Sequence, residues 1–161
     1  MTYEMDIAGL KRELPLCRVT DELYIGAFVM FGDVELTVHC AAELLKRAPE
    51  YDYLIAPEAK AIPLLYEMAR QSGAEKYFLA RKGAKAYMTG VFEVEVRSIT
   101  TMHIQKLVID TADAELIKGK KILIVDDVIS TGKSLEALEK LVEKAGGIVV
   151  GRAAVLAEGE A

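Results

Sequence analysis

Apolar and polar positions along the chain fall into two strand–loop–helix units with a further strand between them. Tyr53-Leu54-Ile55-Ala56 is a short buried run. It leads through Pro57-Glu58-Ala59-Lys60-Ala61 into a predicted helix from about Ile62 to Gln71, with Pro63 tolerated in the first turn and Gly73 suited to the end. Lys76–Ala80 is a second short run and closes on Arg81-Lys82-Gly83-Ala84-Lys85. Lys121–Val125 is a β-branched and Leu run of the kind buried on both faces of a sheet. Asp126 and Asp127 end it, and Val128-Ile129-Ser130-Thr131-Gly132-Lys133-Ser134 follows. Leu138, Leu141, Val142 and Ala145 then fall at i, i+3, i+4 and i+7, one face of a helix. Gly146-Gly147 stops that helix, and Ile148–Leu156 reads as the last strand.

The flanking segments carry weaker patterns. Residues 3–12 read as a short amphipathic helix that Pro15 prevents from extending. Leu23–Phe31 reads as a strand or an extended arm, broken by Gly32. Asp33 is a suitable N-cap, with Glu35 in the first turn, for a helix running to about Arg47, where Pro49 stops it. His39 lies on that helix as a packed or solvated side chain. Residues 92–98 and part of 104–109 alternate apolar and polar, which predicts an antiparallel hairpin outside the parallel core. Asp113 begins a short turn or helix that Gly119 ends.

Strands alternating with helices at this spacing predict an α/β fold, a doubly wound parallel sheet with helices on both faces. A chain of 161 residues forms one domain with a substantial core. Residues 1–32 are expected as an arm or hood, 50–156 as the core and 86–111 as the hairpin region. Composition changes this picture little. A net charge of −5 argues against a broad nucleic-acid surface. No apolar run is long enough for a membrane span. Cys17 and Cys40 fit no metal spacing and point to a reducing, cytoplasmic setting.

The loops carry the candidate chemistry. In such sheets ligands bind beyond the C-terminal strand ends, where 57–61, 81–85 and 126–134 all lie. Strand, glycine-containing loop and helix N-terminus present N–H groups to an anion. Ser130, Thr131, Gly132, Lys133 and Ser134 suit a phosphate, and Asp126 and Asp127 suit vicinal hydroxyls. Arg81, Lys82 and Lys85 suit a second anionic group. The ending Gly132-Lys133-Ser134 is not a triphosphate-binding P-loop, because Asp127 stands where that motif needs its first glycine. A phosphoacceptor receiver domain is also excluded, because too little chain follows the acid pair.

Four apolar residues, two acids, two apolar residues and Ser-Thr-Gly-x-Ser resemble the phosphoribosyl-diphosphate signature of the type I phosphoribosyltransferases. Lys133 stands where many members have a second glycine; it either pairs with the phosphate or points to solvent. Glu58-Ala59-Lys60-Ala61 resembles the Glu-Ala-x-Gly turn of purine-using members, with Ala61 for glycine, and Arg81-Lys82 resembles their basic strand end. The resemblance covers about residues 50–156 and is best for the adenine-using subgroup. It implies transfer of phosphoribose from phosphoribosyl diphosphate to a purine base, with release of diphosphate. It implies Asp126 and Asp127 as catalytic residues, Glu58, Ala59 and Lys60 with the basic end at the diphosphate, and Mg²⁺ held mainly through the substrate. It implies a base between Phe28 and Val29 above and Ile129 below, and a homodimer. It also implies a mobile hairpin closing over the ligand, from which Arg97, Ser98 and Thr100 reach it; His103 near the tip reads as a bystander. Xanthine, hypoxanthine or guanine as the base, and a non-catalytic sensor of phosphoribosyl diphosphate, stay open.

Overall fold

The computed structural model describes residues 1–97 and 104–159. The chain begins with a hairpin, not with the helix expected over residues 3–12. Strand β1 (Thr2–Ile7) pairs antiparallel with β2 (Leu10–Arg18) around Ala8-Gly9. Both turn residues have positive φ, 54° and 79°, the mirror-image turn whose twist matches paired strands. The apolar residues here serve a period of two. Met5, Ile7, Leu10 and Leu14 face the core while Glu4, Asp6, Lys11 and Glu13 face water. Pro15 sits within β2, opposite Thr2.

A third strand, β3 (Tyr24–Gly26), pairs with β2. Residues 27–31 continue as an arm that buries Phe28 and Met30 and exposes Val29 and Phe31. Helix α1 (Val34–Arg47) starts where expected, with the Asp33 carboxylate accepting the Leu36 N–H at 3.0 Å. Arg12 of β2 donates to the same carboxylate at 2.6 Å and to Glu35 at 2.9 Å. One residue therefore caps a helix and anchors the N-terminal sheet.

The parallel units follow as β4 (Tyr53–Pro57), α2 (Ile62–Ser72) and β5 (Phe78–Ala80). Then come the antiparallel pair β6 (Val91–Arg97) and β7 (Ile104–Asp110), and helix α3 (Thr111–Ile117). The chain finishes with β8 (Lys121–Ile129), α4 (Lys133–Lys144) and β9 (Ile148–Ala157). The central sheet is parallel in the order β5-β4-β8-β9. On one face Leu54, Ala56, Leu123 and Val125 pack against α1, α2 and the N-terminal hairpin. On the other, Ile55, Ile122 and Ile124 pack against α3, α4 and the β6–β7 pair. Burial on both faces is why these strands are apolar without alternation.

Three boundaries differ from expectation. β5 is shorter, starting at Phe78. α3 starts at Thr111, because Asp110 rather than Asp113 accepts a first-turn N–H, that of Ala112. β8 runs past the acid pair to Ile129, because Val128 and Ile129 still pair with Leu156 and Ala157 of β9. The hairpin is fixed at its base. Arg81 and Val108 exchange two main-chain hydrogen bonds of 2.8 and 2.7 Å, and Asp110 accepts the Thr89 hydroxyl at 2.8 Å.

Removing the double role of Asp33 has a measurable cost. Asp33→Ala is expected to destabilise the fold by about 1 kcal/mol or more through the lost cap alone. Asp33→Asn, which can still cap α1, should cost less. Urea unfolding followed by circular dichroism ranks the two; equal losses would place the cost in the Arg12 ion pair instead.

Candidate functional site

The C-terminal ends of β4 and β8 open onto a cleft of about 180 Å³, with Lys82 just beyond β5 on its wall. Its lining is Pro57, Glu58, Ala59, Lys60, Lys82, Leu107, Asp126, Asp127, Val128 and Ser134. A smaller hollow of about 50 Å³ adjoins it, bounded by Ile129, Ser130, Thr131, Gly132 and Leu135 and sharing Asp126, Val128 and Ser134. Two loops that are 66 residues or more apart in sequence thus form one continuous site, with Lys82 beside them.

The acid pair owes its geometry to β8. Side chains alternate along a strand, so Ile122, Ile124 and Asp126 point one way while Leu123, Val125 and Asp127 point the other. Asp127 is 6% exposed. The Asp126 carboxylate accepts the Asp127 N–H at 2.8 Å. Burial, then the neighbouring Asp127 carboxyl, pushes Asp126 up to about 7; the Asp127 N–H and the charge of Lys60 act in the opposite direction. An approaching cation or hydroxyl donor would favour the ionised form.

The phosphate-type loop follows directly. Gly132 caps α4 with φ of 74° and brings no side chain to the first-turn N–H groups. A left-handed backbone at that point is readily adopted by glycine alone. Ser130, Thr131 and Ser134 add hydroxyls at the same helix end. Lys133 begins α4 and lines neither hollow.

The second loop is held from β5. The Glu58 N–H donates to the Ala80 carbonyl at 2.9 Å. The Glu58 carboxylate accepts the Lys82 N–H at 2.6 Å and Arg81 Nε at 2.8 Å. These contacts, the Lys82 N–H foremost, hold its pKa below the usual glutamate value. The Glu58–Ala59 peptide is cis. Ala61 has φ of −79° and ψ of −8°, so alanine is accommodated where resembling proteins have glycine.

Lys60 and Lys82 therefore line one cleft with Asp126 and Asp127, with three hydroxyls and a helix N-terminus beside it. That arrangement suits a ligand with anionic ends and a hydroxylated middle. Other expected residues lie elsewhere. Arg81 turns to Glu58 and Tyr87, and Lys85 lines neither hollow. Phe28 is in the core and Val29 is exposed, while Ile129 does line the smaller hollow. His39 is exposed. Ser98, Thr100 and His103, and the side chain of Arg97, lie outside the described residues. Leu107 and Val128 also line the cleft, although no motif marks them. Both read in sequence only as apolar strand positions, with nothing to mark the cleft.

Residues 37–161 match the phosphoribosyl transferase domain family. The adenine phosphoribosyltransferase of Thermosipho africanus (strain TCF52B) is 30% identical over 155 residues, spanning 91% of this chain and 84% of that protein. That of Thermotoga sp. (strain RQ2) is 38% identical over 102 residues, so the match spans 63% of this chain and little more than half, 56%, of that relative. The crystal structure of adenine phosphoribosyltransferase from Thermoanaerobacter pseudethanolicus superposes with a TM-score of 0.72 at 22% identity, covering 89% of this chain and 83% of that one. It has the same fold. With its acid pair, glycine-capped loop and parallel sheet, the chain belongs to the phosphoribosyl transferase domain family.

Proposed function

We propose that the protein transfers the phosphoribosyl group of phosphoribosyl diphosphate to a purine base, adenine, and releases diphosphate. The convergence of Lys60 and Lys82 with Asp126 and Asp127 around the Ser130–Ser134 loop carries this reading. The choice of adenine is supported by what the similar proteins are called.

The 5-phosphate sits against Ser130, Thr131, Gly132, Lys133 and Ser134, at the N-terminus of α4. The ribose hydroxyls donate to Asp126 and Asp127. The diphosphate extends toward Ala59, Lys60 and Lys82. As the C1–O bond to diphosphate breaks, positive charge develops on the ribose ring beside the two carboxylates, and a purine nitrogen forms the new C1–N bond and gives up its proton to the departing diphosphate. Catalysis is positioning and charge stabilisation. The donor set, Asp126 beside Asp127, fits a Mg²⁺ ion held largely by substrate and water oxygens. When bound, that ion supplies charge neutralisation for the departing diphosphate. The base lies over Ile129, with the arm bearing Phe28 and Val29 as its cover. Leu107 places β7 on the cleft wall, and closure of the β6–β7 pair would exclude water from the reacting carbon. We place the protein in the cytoplasm as a homodimer. Free thiols at Cys17 and Cys40 fit a reducing compartment, and exposed Val34, Val38 and Tyr66 on α1 and α2 fit a covered face.

Turnover tests this directly. With Mg²⁺, phosphoribosyl diphosphate and each purine base in turn, adenylate and diphosphate should form. Asp127→Asn should lower kcat/KM by on the order of 100-fold. Turnover on another base alone would change the substrate, and binding of phosphoribosyl diphosphate without turnover would mark a sensor.

Asp126 adds a pH test. Its folded pKa lies above the ordinary 3.8, near 7, so the folded chain holds a proton that the unfolded chain has released. Its contribution to stability is full below about pH 4 and declines as pH rises toward 7. Asp126→Asn should therefore melt higher than the wild type at pH 8, with a much smaller gap at pH 5. A gap independent of pH would refute the raised value. Binding of phosphoribosyl diphosphate with Mg²⁺ near pH 7 should release a proton. Calorimetry in buffers of different ionisation enthalpy reads this, and Asp126→Asn should abolish it.

A further inference from the structure

The two cations at the end of β5 are adjacent in sequence, yet the fold sends them in different directions. Lys82 lines the cleft with Lys60, Asp126 and Asp127. Arg81 lines neither hollow. Its Nε donates to Glu58 at 2.8 Å and another guanidinium nitrogen donates to the Tyr87 hydroxyl at 2.6 Å. Its main-chain N–H and C=O are both bonded to Val108 of β7. The Arg81 and Glu58 side chains are only 25% and 18% exposed, so their attraction is less screened than that of a surface pair.

Glu58 is the other half of this arrangement. One carboxylate oxygen accepts from Arg81 and the other from the Lys82 N–H. An unpaired carboxylate on the wall of a site for a polyanion would repel the ligand. Arg81 neutralises it. It also ties the Pro57–Ala61 loop to β5, and through Val108 to the hairpin beside the cleft.

We propose that Arg81 is a positioning residue that acts through Glu58, holding the Pro57–Ala61 loop so that Lys60 faces the anionic ligand. Neither Arg81 nor Glu58 is itself a ligand of the diphosphate; Lys60 and Lys82 are. Tyr87 fixes the guanidinium from its far side. The identity of the anion rests on the function proposed above, whereas the brace itself does not.

Two measurements on the full chain separate these points. The first is hydrogen exchange of the ligand-free protein, read at the Glu58 and Ile62 amides, which donate to Ala80 and Ala59. Arg81→Gln, Glu58→Gln and the double variant should each lose protection there, to a similar degree. Unchanged protection in Arg81→Gln overturns the brace. The second is binding of inorganic diphosphate with Mg²⁺ by calorimetry across a salt series. Arg81→Gln and Glu58→Gln should each weaken binding about tenfold, with the double variant no weaker than the worse single one. Arg81→Gln should keep the wild-type slope of log Kd against log salt, while Lys82→Gln lowers it. A slope lowered by Arg81→Gln, or tighter binding in Glu58→Gln, overturns the proposal and makes Arg81 a ligand. If the wild-type chain binds no diphosphate, the functional reading falls and hydrogen exchange alone decides the brace.

Discussion

The site depends on two carboxylates placed next to each other at the end of a strand that is buried on both faces. A strand sends neighbours to opposite sides, so Asp126 and Asp127 enter the cleft from the two faces of one backbone. Burial makes holding both charges unfavourable without a compensating cation or donor. Burial and the neighbouring carboxyl therefore favour the proton on Asp126. A ligand that offers hydroxyl donors and positive charge would favour the ionised form.

Around that pair the protein builds by cross-bracing rather than by bulk. The cleft floor is the sheet itself, and its walls are loops, which need fixing from outside. Glu58 is fixed by Arg81 and Lys82, Arg81 by Tyr87 and Val108, and the hairpin base by Asp110 with Thr89. Each bond alone is worth little in net stability. Together they leave the loop few alternative arrangements, as positioning of a reactive centre requires.

The sequence was most legible where local rules and packing agree. The apolar runs at 53–56 and 121–125 became central strands, the Asp33 cap and the Gly73 and Gly146-Gly147 stops fell at helix ends, and the alternating stretches at 92–98 and 104–109 correspond to the antiparallel pair β6 and β7. It misled at residues 3–12, where Met5, Ile7, Leu10 and Leu14 satisfy a helical spacing and a hairpin spacing about equally. What broke the tie was Ala8-Gly9 in a mirror-image turn together with a hydrophobic surface on α1 and α2 to pack against. Neither is visible in a ten-residue window.

By itself the sequence determined the fold class, the three loops at the strand ends and the chemical type of the 126–134 motif. Those follow from periodicity and from residue types in fixed local order. Only the tertiary structure decided which side chains in those loops are available to a ligand. Arg81 and Lys82 are neighbours of like charge in the sequence, but the positions of Glu58 and Tyr87 turn one into a brace and leave the other lining the cleft. Glu58 lies 23 residues before Arg81, and contacts at that separation exist only once the parallel strands have set their register.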